Sequence, residues 1–129
     1  EGSNQNYIFI RLADILLLKA EALNENGDAQ GAMQLVNQIR KRAKLSDATA
    51  SGKEEVKAAI AKERRLELAF EGHRWYDLKR TGKAIDVMNN AVGPNGDKIG
   101  YNLTNERLLW PIPQSELDKN TKLSQNPGY

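Results

Sequence analysis

The segment Glu63 to Gly82, ERRLELAFEGHRWYDLKRTG, concentrates nine formal charges and three aromatic rings in twenty residues. Glu63, Glu67 and Glu71 recur every four residues, which puts their carboxylates along one side of a helix. Paired carboxylates roughly 5–10 Å apart across a cleft are the equipment of glycoside hydrolysis, where one donates a proton and the other attacks or activates water. Glu63 and Glu67 are therefore the catalytic candidates.

The neighbours of these glutamates favour another use. At 100° per residue, Val56, Ala59, Ile60, Leu66 and Phe70 share one arc; Glu63, Glu67 and Arg74 fall inside it, with Glu71 and Arg64 at its edge. Like charges on a buried face repel one another unless cations interleave, and Arg64 and Arg74 stand three residues from Glu67 and Glu71 respectively. Guanidinium forks hold carboxylates in the charged form, whereas a general acid needs the opposite environment. The expectation is a ladder that fixes helix register. Glu63, Arg64, Glu67, Glu71, Arg74, Trp75 and Asp77 form this structural network, and no catalytic residue is assigned.

Other candidate chemistry is sparser. His73 is the sole histidine and cysteine is absent, so no metal site and no cofactor are expected. Trp75, Tyr76 and Trp110 have the faces needed to stack on sugar rings, although core packing accounts for them better. The basic run RKRAK, Arg40 to Lys44, closes a helix, where cations complement the dipole. GPNGDKIG lacks the carboxylate spacing of a calcium loop, and NLT at Asn102 is too short a pattern to carry weight.

These residues need elements to hold them. YIFIRLADILLLKAEALNENG opens extended and turns helical near Arg11; Leu12, Ile15, Leu16, Leu18, Ala20, Ala22 and Leu23 cover most of its circumference, which predicts burial on several sides. Gly27 ends this helix and Asp28 caps the next, whose Ala32, Leu35, Val36 and Ile39 make one stripe. Ala20 and Ala32 allow close approach, so residues 11–44 read as a tetratricopeptide-like hairpin. A polar linker, LSDATASGK, leads to a helix from Lys53 through Phe70; Gly72 interrupts it before a shorter helix from Trp75 to Arg80, making 53–82 a charged helix pair. Residues 89–129 are rich in Pro, Gly and Asn and read as irregular, with a short hairpin at Asn95–Gly96, an extended LLWPIP, a turn capped by Ser115 and a C-terminal tail. The fold class is all-α, in one domain over 1–129.

Composition narrows the function classes. Lys and Arg number 19 against 17 Asp and Glu, leaving a net charge of +2, too weak and dispersed a field for a nucleic-acid footprint. The longest apolar run is too short to span a bilayer, and EGSNQN has neither the basic nor the apolar region of a signal peptide.

Four segments in order, YIFIRLADILLLKAEALN, AMQLVNQIRKRA, IAKERRLELAFEGHRWYDLKRTG and RLLWPIPQSELDKNTKLSQNPGY, resemble the C-terminal part of the SusD/RagB family of outer-membrane nutrient-binding lipoproteins. The third, with its Glu-Gly-His-Arg-Trp-Tyr-Asp-Leu-Lys-Arg order, is the most specific. The resemblance implies a surface-exposed lipoprotein that caps a TonB-dependent, SusC-like transporter and captures glycans or other nutrients without cleaving them. It also implies an all-helical scaffold of tetratricopeptide-like units, of which residues 11–44 are one. Family members are several times longer and carry a lipidated cysteine near the N-terminus, so the chain reads as a C-terminal portion. No glycan-binding residue of the family maps onto a motif in this chain. The competing reading is a tetratricopeptide-like protein-interaction module.

Overall fold

A computed structural model describes residues 8–129, so the polar start EGSNQN and Tyr7 lie outside the described residues. The chain divides into two compact units, the first running up to Arg74 and the second spanning Trp75–Tyr129. The boundary falls within the segment 53–82.

The first unit is three helices: α1 (Leu12–Glu25), α2 (Ala29–Arg42) and α3 (Lys53–Glu67). Helix α1 packs on both α2 and α3, and α2 also packs on α3. The turn between α1 and α2 works as its residues predict. Gly27 takes φ +90°, a left-handed conformation with no steric cost for glycine, and the Asp28 carboxylate accepts the Gly31 N–H at 2.8 Å. Ala20 and Ala32 are wholly buried where the two helices meet, beside Leu17 and Val36. Val56 and Ile60 add the α3 face to the same core.

Two expectations for these helices are corrected. Helix α1 buries Ala13, Asp14, Leu17, Ala20 and Asn24, while Leu12, Ile15 and Leu18 on its other side are exposed, so its wide apolar surface is covered on one face of the chain and open on another. Helix α3 ends at Glu67 rather than Phe70, with Leu68 as its C-cap. Phe70 then adopts φ +67°, which turns its ring fully into solvent, and Leu66 is exposed as well. The buried arc of α3 is Val56, Ile60, Glu63 and Arg64, rotated away from Leu66 and Phe70. Extrapolating helical angles past the true end of a helix misplaces every residue beyond it.

The second unit contains most of α4 (His73–Arg80), then α5 (Ala84–Asn89), a single 3-10 turn at Glu106–Leu108 and α6 (Gln114–Lys119). Helix α4 starts two residues earlier than its spacing predicts, and α5 was not anticipated. Ser115 is not a cap: α6 begins after Pro113, with no side-chain cap bond. Residues 92–98 form the expected turn, with an isolated antiparallel bridge between Val92 and Lys98 closed by Gly96. Among the described residues there is no named strand, and the fold is all-α. No described helix is long and apolar enough to cross a membrane.

Candidate functional site

The glutamates of the charged segment are paired with cations that helical spacing does not point to. Arg11, immediately before α1, sends Nε to Glu71 Oε2 at 2.8 Å and Nη2 to Glu71 Oε1 at 2.7 Å, a two-pronged grip on one carboxylate. Its Nη1 also donates to Glu67 Oε1 at 2.7 Å, and its Nη2 to the Glu67 carbonyl oxygen. From α2, Arg42 Nη2 donates to both oxygens of Glu67 at 2.7 and 2.8 Å, and Arg40 Nη1 donates to Glu63 Oε2 at 3.0 Å. The three glutamates of one segment are thus met by arginines from α2 and from the residue that precedes α1.

Arg64 faces the other way. Its Nη2 lies 2.9 Å from Asp14 Oδ1, an ion pair whose angle falls short of a hydrogen bond, and Nη1 donates to the Asp14 carbonyl at 3.3 Å. Both residues are more than nine-tenths buried. A buried pair of this kind adds little net stability, because desolvation offsets attraction, yet it fixes α3 against α1 in one register. The carboxamide of Asn24, 2% exposed, completes the contact by donating to the Lys53 carbonyl at 2.9 Å, joining the end of α1 to the start of α3.

Electrostatics follow the geometry. Hydrogen bonds from Arg11 hold the Glu71 carboxyl below its ordinary pKa, and the same bonds raise the Arg11 pKa. Two of the glutamates, Glu63 and Glu67, have nearly buried side chains, each with a guanidinium in contact. Such carboxylates are acceptors already engaged by guanidinium groups, an arrangement that positions helices.

Three further network candidates, Arg74, Trp75 and Asp77, lie in α4. Arg74 is exposed at the start of α4, at the end of the first unit. Trp75 and Asp77 belong to the second unit; Trp75 is half-buried, and Asp77 Oδ1 accepts Arg80 Nε at 2.9 Å one turn on. Sequence reasoning missed Arg11, Asp14 and Asn24, and it read Arg40 and Arg42 as cations complementing a helix end rather than as partners of Glu63 and Glu67. The available signal was numerical: the glutamates and Asp14 need cations, and Arg11 and Arg42 flank the hairpin where they can supply them. Among the described residues no three His, Cys, Asp or Glu side chains converge as metal ligands would.

The first unit is thus a helical hairpin braced against a third helix by ion pairs. Comparison with known proteins carries this further: the SusD family model matches residues 1–129, and the chain belongs to that family. It is 45% identical over 133 residues to SusD-like protein P38 of Formosa agariphila, covering 96% of this chain and 25% of that protein. It is 32% identical over 120 residues to the starch-binding protein SusD of Bacteroides thetaiotaomicron, covering 92% of this chain and 21% of that protein. Among solved structures, a SusD-like protein from Bacteroides fragilis superposes with a TM-score of 0.83 at 34% identity, over 96% of this chain and 26% of that one. The surface glycan-binding protein A from Bacteroides thetaiotaomicron gives a TM-score of 0.76 at 30% identity, over 96% of this chain and 25% of that one. The chain spans about a quarter of the length of these relatives.

Proposed function

We propose that this chain is the scaffold portion of a glycan-binding protein of the bacterial outer membrane that delivers its ligand to a TonB-dependent, SusC-like transporter and does no bond cleavage itself. Family membership over the whole chain carries the reading, supported by two relatives whose names describe starch binding and surface glycan binding. The occupied carboxylates of Glu63, Glu67 and Glu71 support the non-catalytic part, since each is engaged by arginine rather than presented to a substrate. The polypeptide it belongs to is held at the cell surface by a lipid anchor. Within it, Glu63, Arg64, Glu67, Glu71, Arg74, Trp75 and Asp77 act as scaffold.

The test uses the intact polypeptide, affinity-tagged in its native outer membrane. A SusC-like transporter is expected to co-purify, and titration calorimetry against a panel of oligosaccharides is expected to find at least one ligand left unhydrolysed after overnight incubation. Release of reducing ends that stops in Glu63→Gln, with the melting temperature preserved, would favour a glycosidase. Co-purification of a different single partner with no saccharide bound would favour an interaction module of the tetratricopeptide kind, which the α1–α2 hairpin also suits.

A further inference from the structure

Asparagine followed directly by glycine occurs twice in the chain, at Asn26–Gly27 and at Asn95–Gly96. The pair carries a chemistry of its own. The glycine nitrogen, flanked by no Cβ, is free to swing onto the asparagine Cγ and close a five-membered imide ring. A bond from that nitrogen to Cγ forms, the Cγ–Nδ2 bond breaks, and the carboxamide nitrogen leaves as ammonia, taking the proton of the attacking N–H. One water then opens the ring at either carbonyl, giving aspartate or isoaspartate without an oxidant or any other reactant.

Asn26 and Asn95 are both exposed, so access to water does not separate them. Their surroundings do. Asn26 is the C-cap of α1 at ψ 4°, which eclipses the Gly27 nitrogen with Asn26's own nitrogen, so the backbone must rotate before Cγ comes within reach. That rotation is opposed by three bonds: Asn26 N–H to the Ala22 carbonyl at 3.1 Å, Gly27 N–H to the Asn24 carbonyl at 3.1 Å, and Asp28 N–H to the Leu23 carbonyl at 2.9 Å. Asn24 is 2% exposed and Asp28 caps α2, so moving this peptide disturbs the join between two packed helices.

The second pair is held far more lightly. Gly96 N–H donates to the Gly93 carbonyl at 3.0 Å, closing a turn with Asn95 inside it. The isolated Val92–Lys98 bridge adds two bonds, Gly93 N–H to the Asp97 carbonyl at 2.8 Å and Ile99 N–H to the Ala91 carbonyl at 3.0 Å. Residues 94–100 are all exposed, so the turn opens without uncovering a core. We propose that Asn95 is a site of spontaneous deamidation in the folded protein, and that the α1–α2 hairpin protects the same dipeptide at Asn26. Isoaspartate routes the main chain through Cβ and Cγ, so the bonds from Gly96 to Gly93 and from Gly93 to Asp97 lose their common spacing. Each event also sets a new carboxylate two residues from Asp97 when counted along the lengthened backbone atoms of one turn, and lowers the net charge of +2 by one. The modification thus turns a closed, neutral tip into an open, acidic loop.

The test ages the intact polypeptide in mildly alkaline buffer, digests it at mildly acidic pH, and reads each asparagine by fragment-resolved mass spectrometry. Asn95 is expected to convert at least about tenfold faster than Asn26, the ratio that a difference of roughly 1.4 kcal/mol in opening produces. Both aspartate and isoaspartate should appear at position 95. In urea sufficient to unfold the chain both pairs are open, and the two rates should converge. Four results would each overturn the proposal: Asn95 unconverted in the folded protein, Asn26 converting as fast as Asn95 there, a rate difference that persists in urea, or aspartate as the sole product, which would mean direct hydrolysis of the side chain.

Discussion

The two units of the chain solve the same problem in different ways. The first buries Leu17, Val36, Val56 and Ile60 in one core and ties its helices with ion pairs at the edge of that core. The second has few buried apolar residues among those described, Leu78 in α4 and Ala84 in α5, and outside these helices it is organised by side chains that bond backbone. Gln125 accepts the Ile112 N–H at 2.8 Å and donates to the Ile112 carbonyl at 2.9 Å. Asn126 donates to the Trp110 carbonyl at 2.6 Å, and the Tyr129 hydroxyl donates to the Leu109 carbonyl at 2.9 Å. Asn89 does the same for Leu103, accepting its N–H at 2.6 Å and donating to its carbonyl. Extended segments with no neighbouring strand thus acquire partners for their amides, which any ordered backbone needs.

The contrast teaches where each unit is vulnerable. In the first, the danger is a charge stranded in an apolar setting; in the second, it is local loss of backbone pairing with the helices left standing. The largest expected effect tests the first half of this statement. Arg64→Ala leaves the Asp14 carboxylate buried without its guanidinium and should cost about 3–5 kcal/mol in urea unfolding. The double change Asp14→Leu with Arg64→Met removes both charges and should recover most of that loss. A double variant as unstable as Arg64→Ala would show that packing, rather than stranded charge, sets the penalty.

How much of this could be read from residue order depends on separation along the chain. The hairpin was legible because its determinants are local: Gly27 and Asp28 act within one turn, and Ala20 and Ala32 lie within the stripes of their own helices. The charge density of residues 63–71 was legible as well, along with its placement among core positions at Glu63 and Arg64. The partners were not. Helical spacing relates a residue to neighbours three or four away, whereas Arg11 meets Glu67 and Glu71 across 56 and 60 residues. Phe70 was misplaced because nothing before Gly72 signals that the helix stops at Glu67. The clamps of the second unit were invisible because Gln125 and Asn126 look like any polar tail until the segment they bind is in place.

A smaller effect, and one that depends on pH, is expected at the partly exposed end of the first unit. Arg11→Met should cost about 1–2 kcal/mol at neutral pH, less than a fully buried pair because the Arg11 side chain is 30% exposed and Arg42 still engages Glu67. The folded-state pKa of Glu71 is lowered, chiefly by its hydrogen bonds from Arg11, so the unfolded chain binds protons first as the solution is acidified. The stability from this contact is therefore fully present above the ordinary glutamate pKa and is lost as pH falls through the lowered folded value. Unfolding measured from pH 7 downward should show a shallower decline in Arg11→Met than in the parent chain. Parallel curves would place the acid-sensitive contacts elsewhere.

The smallest global effect belongs to the second unit, and there the measurement must be local. Gln125→Ala removes two neutral hydrogen bonds to Ile112 and should cost about 1 kcal/mol or less in whole-chain unfolding, because Ile112 is partly exposed and water can replace its partner. Amide exchange resolves what bulk unfolding cannot. The Ile112 N–H should exchange about fivefold faster, an opening made easier by roughly 1 kcal/mol, while the amides of α1 and α2 keep their protection. Gln125→Glu discriminates further: its carboxylate can still accept the Ile112 N–H but cannot donate to the carbonyl, so Ile112 should stay protected while the segment loosens on its carbonyl side. If both variants instead lower protection in the first unit to the same extent as at Ile112, the two units unfold as one. The contrast between a core-held and a clamp-held region would then describe their packing and not their stability.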